Sequence, residues 1–256
     1  KHQVHLLAHG GVGHGTRRWD RHHAIVTQAV NSLGMNRHWM IYALLALSPP
    51  ASAQPAANAA ADFRALESQL LNARRVELVS DIRASGAIQV ELRGKSEIGV
   101  GGTAALVHSG TFAGRGMTLE LRADGGRMTL ARDDETVQTE TAAQSNRALL
   151  IGFTRMGLLH NLARLTGLQG PDHAAGGVEP WVTVGKVRYL SAKNAEKYGP
   201  SPVALAFNIL VGGAPTATAV LWLDEDTRLP LKREQTVNFP GGSMIVTETY
   251  SSFVIE

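Results

Sequence analysis

Between Val76 and Leu92 apolar and polar side chains change places at every residue. Val76, Leu78, Ser80 and Ile82 alternate with Glu77, Val79, Asp81 and Arg83, and after Ser85-Gly86 the same exchange runs through Ile88, Val90 and Leu92. A period of two is that of a strand, whose successive side chains point to opposite faces, so this stretch predicts a hairpin with one apolar and one polar face. Strands are expected again over Ala104–Phe112, over Met117, Leu119 and Leu121, and over Met128 and Leu130. Asp124-Gly125-Gly126 supplies the turn between the last two, because glycine tolerates positive φ. Gly99 to Gly102 predicts a break or bulge in the sheet. Later strands are expected at Trp181–Leu190, Val203–Val211 and Thr218–Asp224, and a final hairpin at Leu229–Phe239 and Ser243–Ile255.

Two stretches follow a helical period instead. Phe63, Leu66, Leu70 and Ala73 share one face of a helix that Asn58 or Asp62 is placed to cap. From Ser145 to Gly167 apolar residues occupy most of the circumference, which predicts a helix covered on more than one side. Ser145 is its expected cap and Gly167 its expected stop. Gly152 and Gly157 weaken it by about 1 kcal/mol each relative to alanine, so two short helices hinged near Gly157 are expected. About ten strands, a leading helix and an inserted helical segment give an α+β class dominated by one curved antiparallel sheet, an open half-barrel with a helical lid.

A third pattern lies upstream. Arg37 and His38 precede an apolar run from Trp39 to Leu47, then Ser48, Pro49 and Pro50, then Ala51-Ser52-Ala53. A basic flank, a short apolar core and a small-x-small exit make a secretory signal peptide over residues 35–53, and the apolar run is too short to span a membrane. Residues 1–34 show no sustained period and are read as upstream sequence translated in frame, with Met35 as the start and residues 54–256 as the working domain. Their GGVGHGT lacks the Gly-Lys-Ser/Thr ending of a phosphate loop. Gln54 follows the cleavage site where a lipid anchor needs cysteine. The expected location is the periplasm, or outside the cell.

Charge changes the picture only when divided. The 256-residue chain carries a formal +3, but residues 1–53 hold Lys1, Arg17, Arg18, Arg21 and Arg37 against Asp20, so the remainder is close to neutral. No nucleic-acid partner is implied. With no cysteine, the exported domain relies on its apolar core rather than on disulfides.

Catalytic patterns are sparse. His108, His160 and His173 are the histidines beyond residue 53. Asp172-His173 sits in a loop without the partners that complete a metal site. No Gly-x-Ser-x-Gly turn is present for a hydrolase nucleophile. Asp133-Asp134-Glu135 and Asp224-Glu225-Asp226 read as solvated turn charges. The expectation is a non-enzymatic protein without cofactor or metal.

Two short segments and the element order carry a family resemblance. Asp124 to Leu130 is similar to an Asp-Gly turn leading into an apolar strand, and Leu221-Trp222-Leu223-Asp224 followed by Leu229-Pro230-Leu231-Lys232 resembles a late strand–turn–strand, both as found in the LolA-like superfamily of periplasmic lipoprotein carriers. The arginine-proline pair of the carriers proper has no counterpart here. The resemblance covers Asp62 to Glu256 and implies a half-barrel that binds a lipid, a lipoprotein acyl chain or another apolar ligand. Its expected lining is Met117, Leu119, Leu121, Leu149, Phe153, Met156, Leu159 and Trp222. Whether sheet and lid enclose a cavity or fill one another stays open on pattern alone. An envelope sensor or protein-interaction module on the same fold is the alternative, and a hydrolase using Asp172 and His173 a weaker one.

Translation from Met35 in a Gram-negative host is expected to yield a mature chain that begins at Gln54. Intact-mass spectrometry of the periplasmic fraction checks this, and a mature chain that keeps residues before 54 contradicts it.

Overall fold

Among the described residues, eleven antiparallel strands form one open sheet in the order β6-β5-β4-β3-β2-β1-β11-β10-β9-β8-β7. The computed structural model describes residues 56–171, 177–190 and 203–256. One meander runs outward through β1 (Arg75–Gly86), β2 (Val90–Gly99), β3 (Thr103–Phe112), β4 (Arg115–Asp124), β5 (Arg127–Arg132) and β6 (Glu135–Glu140). A second returns through β7 (Val182–Tyr189), β8 (Val203–Val211), β9 (Ala214–Leu223), β10 (Pro230–Phe239) and β11 (Gly242–Ile255), and β11 closes on β1. The result is the curved half-barrel that the alternation and the element order predict.

One face of the sheet is apolar and carries the helices. Val76, Leu78, Ile82 and Ala84 of β1 are buried there with Val90, Leu92 and Ile98 of β2, Leu119 and Leu121 of β4, and Met128 and Leu130 of β5. The opposite face of β1 and β2 is polar and laced with ion pairs, among them Arg93–Asp81 at 2.6 Å and Lys95–Glu77 at 2.7 Å. Exposed pairs of this kind contribute little stability.

Among the described residues, three longer helices and one turn of helix cover the apolar face. α1 (Ala56–Asn72) buries Ala59, Phe63, Leu66 and Leu70, packs on β7, and sets Phe63 edge-on to Phe207 of β8 at 4.9 Å. α2 (Ser145–Met156) and α3 (Leu158–Leu165) are the inserted segment, broken at Gly157 as expected. α2 lies against α1, and α3 crosses to β4, β5 and β11. α2 is buried continuously from Ala148 to Thr154, so the all-round apolar pattern reflects cover on several sides. A Cβ at Gly152 would stand 2.6 Å from Asn161 Oδ1, so glycine there permits the close approach of α3. The Asn161 amide donates across that gap to the Leu149 carbonyl at 2.9 Å. α4 (Val178–Trp181) is a single turn leading into β7.

Four local expectations are corrected. Asp62 and Asn58 lie inside α1 rather than at its start; Asp62 instead accepts a 2.7 Å hydrogen bond from the Tyr189 hydroxyl. Ser145 is buried within the first turn of α2, and Gln144 holds the cap position. α3 stops at Leu165, short of Gly167. The strand count rises from about ten to eleven because of β6, whose residues are all exposed and show no apolar alternation.

Candidate functional site

Arg233 and Glu248 face each other across β10 and β11 on the inner face, and both are almost wholly buried. Neither sits there by chance of packing. The chain breaks at Gly157, so α2 ends and α3 begins inside the protein, and each terminus leaves backbone groups without helical partners. Arg233 answers the first end: its guanidinium donates to the carbonyls of Thr154 at 3.0 Å and Arg155 at 2.7 Å. Glu248 answers the second: its carboxylate accepts the Leu158 amide at 3.0 Å and the Leu159 amide at 2.8 Å. Each charge therefore meets the helix end of opposite partial charge, which in buried geometry is worth up to about 2 kcal/mol per end.

Side chains of the sheet add further bonds. Tyr250 donates its hydroxyl to Glu248 at 2.5 Å, and the Gln235 side-chain oxygen accepts from Arg233 at 2.8 and 2.9 Å. Burial, then the adjacent Glu248 charge, pushes the Tyr250 phenol well above its ordinary range, so it remains a donor. Burial draws Arg233 down from its usual value while Glu248 opposes that shift. Gly157 completes the latch. Its φ of 91° and ψ of 162° belong to glycine, and a Cβ there would stand 2.7 Å from Glu248 Oε1 and 3.1 Å from Arg233 Nε.

The latch divides the inner face into two regions. Toward the β1–β2, β3–β4 and β10–β11 turns, the rows read Gln235, Val246, Ala84, Val90 and Phe112, then Val237 and Met244. Val246, Ala84 and Val90 are buried, while Ile88, Phe112, Met117, Val237 and Phe239 are half-buried and form an apolar rim. Away from the turns the next row reads Tyr250, Ser80, Gly94, His108 and Leu119. Phe153 packs there against the rings of Tyr250 at 5.5 Å and Phe253 at 5.8 Å.

Within that row His108 and Ser80, both fully buried, share a 3.0 Å hydrogen bond between Nε2 and Oγ. Gly94 makes it possible: a Cβ there would stand 2.7 Å from both Cα and Cγ of His108. His108 Nδ1 and the Oγ of buried Ser96 have no protein partner. Such orphans cost about 1–3 kcal/mol each. Burial lowers the His108 pKa from 6.5 to about 4, so the ring is neutral at pH 7.

The expected lining residues divide by position. Leu119, Leu121, Leu149, Phe153 and Leu159 are buried in the common core between sheet and insert, with Met117 and Met156 half-buried at its margin. Trp222 is not brought together with them: Leu221 and Leu223 point inward, and Trp222 packs on the other face with Ala204, Leu190 and Val220, its ring 5.3 Å from Lys232 Nζ. Asp172 and His173 lie outside the described residues, as do residues 1–55 with the expected signal peptide. His160 is half-buried beside Trp181. Asp133-Asp134 and Asp224-Glu225-Asp226 lie between strands and Glu135 opens β6; Asp133 accepts the Thr118 amide, and backbone amides hold the carboxyls of Asp224 and, in the β4–β5 turn, Asp124 below the usual range. Among the described residues no helix is long and apolar enough to cross a membrane. Sequence reading missed Arg233, Glu248 and His108 as interior groups; the available sign was a charged or polar residue at the apolar phase of a strand.

No protein-family model matches the sequence, and no curated protein matches it. Solved structures show a distant likeness. The Mycobacterium tuberculosis lipoprotein LppX is 12% identical, with 77% of this chain and 97% of that one covered at a TM-score of 0.38. LprF from Mycobacterium bovis is 13% identical, with 79% and 95% covered and a TM-score of 0.40. A LolA superfamily protein from Nitrosomonas europaea is 9% identical, with 77% and 93% covered and a TM-score of 0.32. Likeness at this level carries no inference about what this chain binds.

Gly157→Ala is expected to lower stability by about 2–4 kcal/mol, from a strained backbone and displacement of the Glu248 carboxylate. Urea denaturation measures it, and an unchanged midpoint contradicts the latch geometry. A pH dependence follows from His108. The unfolded chain binds its proton near pH 6.5 and the folded chain only near 4, so stability is full above about 6.5 and falls as pH drops toward 4. The loss is on the order of 3 kcal/mol. Urea midpoints across this window should fall more steeply for the native chain than for His108→Phe.

Proposed function

We propose that residues 54–256 are an exported, non-catalytic carrier or binder of a lipid, a lipoprotein acyl chain or a similar apolar ligand at the cell envelope, with the α2–α3 insert as its lid. The observation that carries this reading is the apolar inner face running from the core past the latch to the half-buried rim of Ile88, Phe112, Met117, Val237 and Phe239. These five side chains lie at the end of the half-barrel that carries the β1–β2, β3–β4 and β10–β11 turns; other half-buried apolar side chains, Phe253 and Ile255 among them, lie elsewhere round the core. The insert rests on the sheet through apolar side chains, the polar latch and hydrogen bonds from Asn146 and Arg155, and a guest chain would take over the apolar contacts when the insert lifts. Burial stabilises such a guest by about 0.8 kcal/mol per methylene, and a few methylenes suffice without a charged anchor. Leu119, Leu121, Leu149, Phe153, Leu159, Met117 and Met156 are the side chains a guest would meet.

A second reading is favoured by β6. This edge strand is exposed along its whole length beside an open polar groove of about 690 Å³ formed by Asp124, Gly126, Arg127, Gln138, Thr139 and Glu140. An unpaired edge of that kind suits an envelope interaction module that adds a partner strand.

Native mass spectrometry of the protein purified from its own envelope separates the two. Bound lipid mass, lost on Met117→Glu in the apolar rim, is the expected result. A chain free of lipid that retains a protein partner instead would overturn the carrier reading.

A further inference from the structure

The orphan polar atoms of the inner face bear on which apolar guest would fit. Ser80, Ser96 and His108 are the buried polar side chains of β1, β2 and β3 on the inner face, each 1% exposed or less. They are neighbours: Ser80 and His108 lie in one row across Gly94, and Ser96 lies in the next row, opposite Leu106. One bond, Ser80 to His108, satisfies part of the group; Nδ1 of His108 and Oγ of Ser96 remain without a protein partner. Buried polar side chains of proteins are mostly paired, and the neighbouring latch makes many bonds. The row of Ser80 and His108 is two residues along the strand from the row of Glu248, about 7 Å. A chain entering from the rim beneath a lifted insert therefore reaches it after passing the latch.

We propose that His108 and Ser96 form a polar station for a neutral, hydroxyl-bearing acyl chain, the hydroxyl lying part-way along the chain; this rests on the carrier reading above. A hydroxyl both donates and accepts, so it serves Nδ1 in either tautomer and the Ser96 Oγ together. A carboxylate or ammonium at this depth would stand unpaired in apolar surroundings, so the station selects a neutral group. A plain alkyl chain leaves both orphans as they are. Burial holds the imidazole neutral, in keeping with a hydrogen-bonding rather than ion-pairing role.

Displacement of a fluorescent fatty probe from the purified protein, by methyl stearate and by methyl 12-hydroxystearate, tests this. The two esters differ by one hydroxyl, and comparing their ratio between proteins cancels its cost of leaving water. The preference for the hydroxylated ester should be about tenfold greater in the native chain than in His108→Phe, with methyl stearate affinity little changed. An equal ratio in both proteins overturns the station and leaves the carrier reading intact. Failure of both esters to displace or bind overturns both. Should His108→Phe not fold, the ¹⁵N resonance of Nδ1 in the native protein decides: a shift with the hydroxylated ester alone supports the station, and the same response to both esters, or to neither, overturns it.

Discussion

A helix that stops and restarts inside a protein presents two sets of backbone groups that water cannot reach. Here the sheet supplies the answer, with a guanidinium for the carbonyl end of α2 and a carboxylate for the amide end of α3. The position of the insert depends on that exchange. Desolvating two charges is costly, and a buried pair adds stability only when every remaining hydrogen-bonding position is filled. Gln235 and Tyr250 supply further bonds, so four of the five guanidinium donors and both carboxylate oxygens are engaged. Gly157 lets the backbone come close enough for the carboxylate to reach both amides.

The latch also makes the insert a separable part. α2 and α3 touch the sheet mainly through leucines, Ile151 and Phe153, contacts that have no direction and that another apolar chain can replace. Directional contacts hold the break, and others run along the insert: Arg155 to Glu67 at 2.7 Å and to the Val182 carbonyl of β7 at 2.7 Å, and Asn146 to the β2–β3 turn. The cover rests on an apolar face that continues to a half-buried rim. That physical property underlies the functional reading, independently of the distant likeness to other solved structures.

Much of this was legible in the sequence, for identifiable reasons. Alternation in Val76–Leu92 and in Met117–Leu121 placed those strands because one face is buried and the other wet. The helical break was legible because Gly157 sits in a run that is apolar all round. β6 was not, since ETVQTE is exposed on every side and carries no periodic mark. Trp222 was misleading in another way: next to Leu221 and Leu223 it reads as one apolar run, yet strand phase sends it to the opposite face. Arg233 and Glu248 occupy the inward phase of their strands, but their identity as helix-end partners follows from tertiary contacts with residues about 80–90 positions away, which no local pattern encodes. The same is true of His108, whose reach over Gly94 to Ser80 depends on three strands being in register.

Amide hydrogen exchange at Leu158 and Leu159, compared between the native chain and Glu248→Gln and referenced to the amides of β1, tests most directly whether the carboxylate holds the insert in place. The account predicts strong protection of both amides in the native chain and markedly faster exchange of these two and of α3 in the variant, with β1 far less affected. Equal exchange at Leu158 and Leu159 in the two proteins would contradict it.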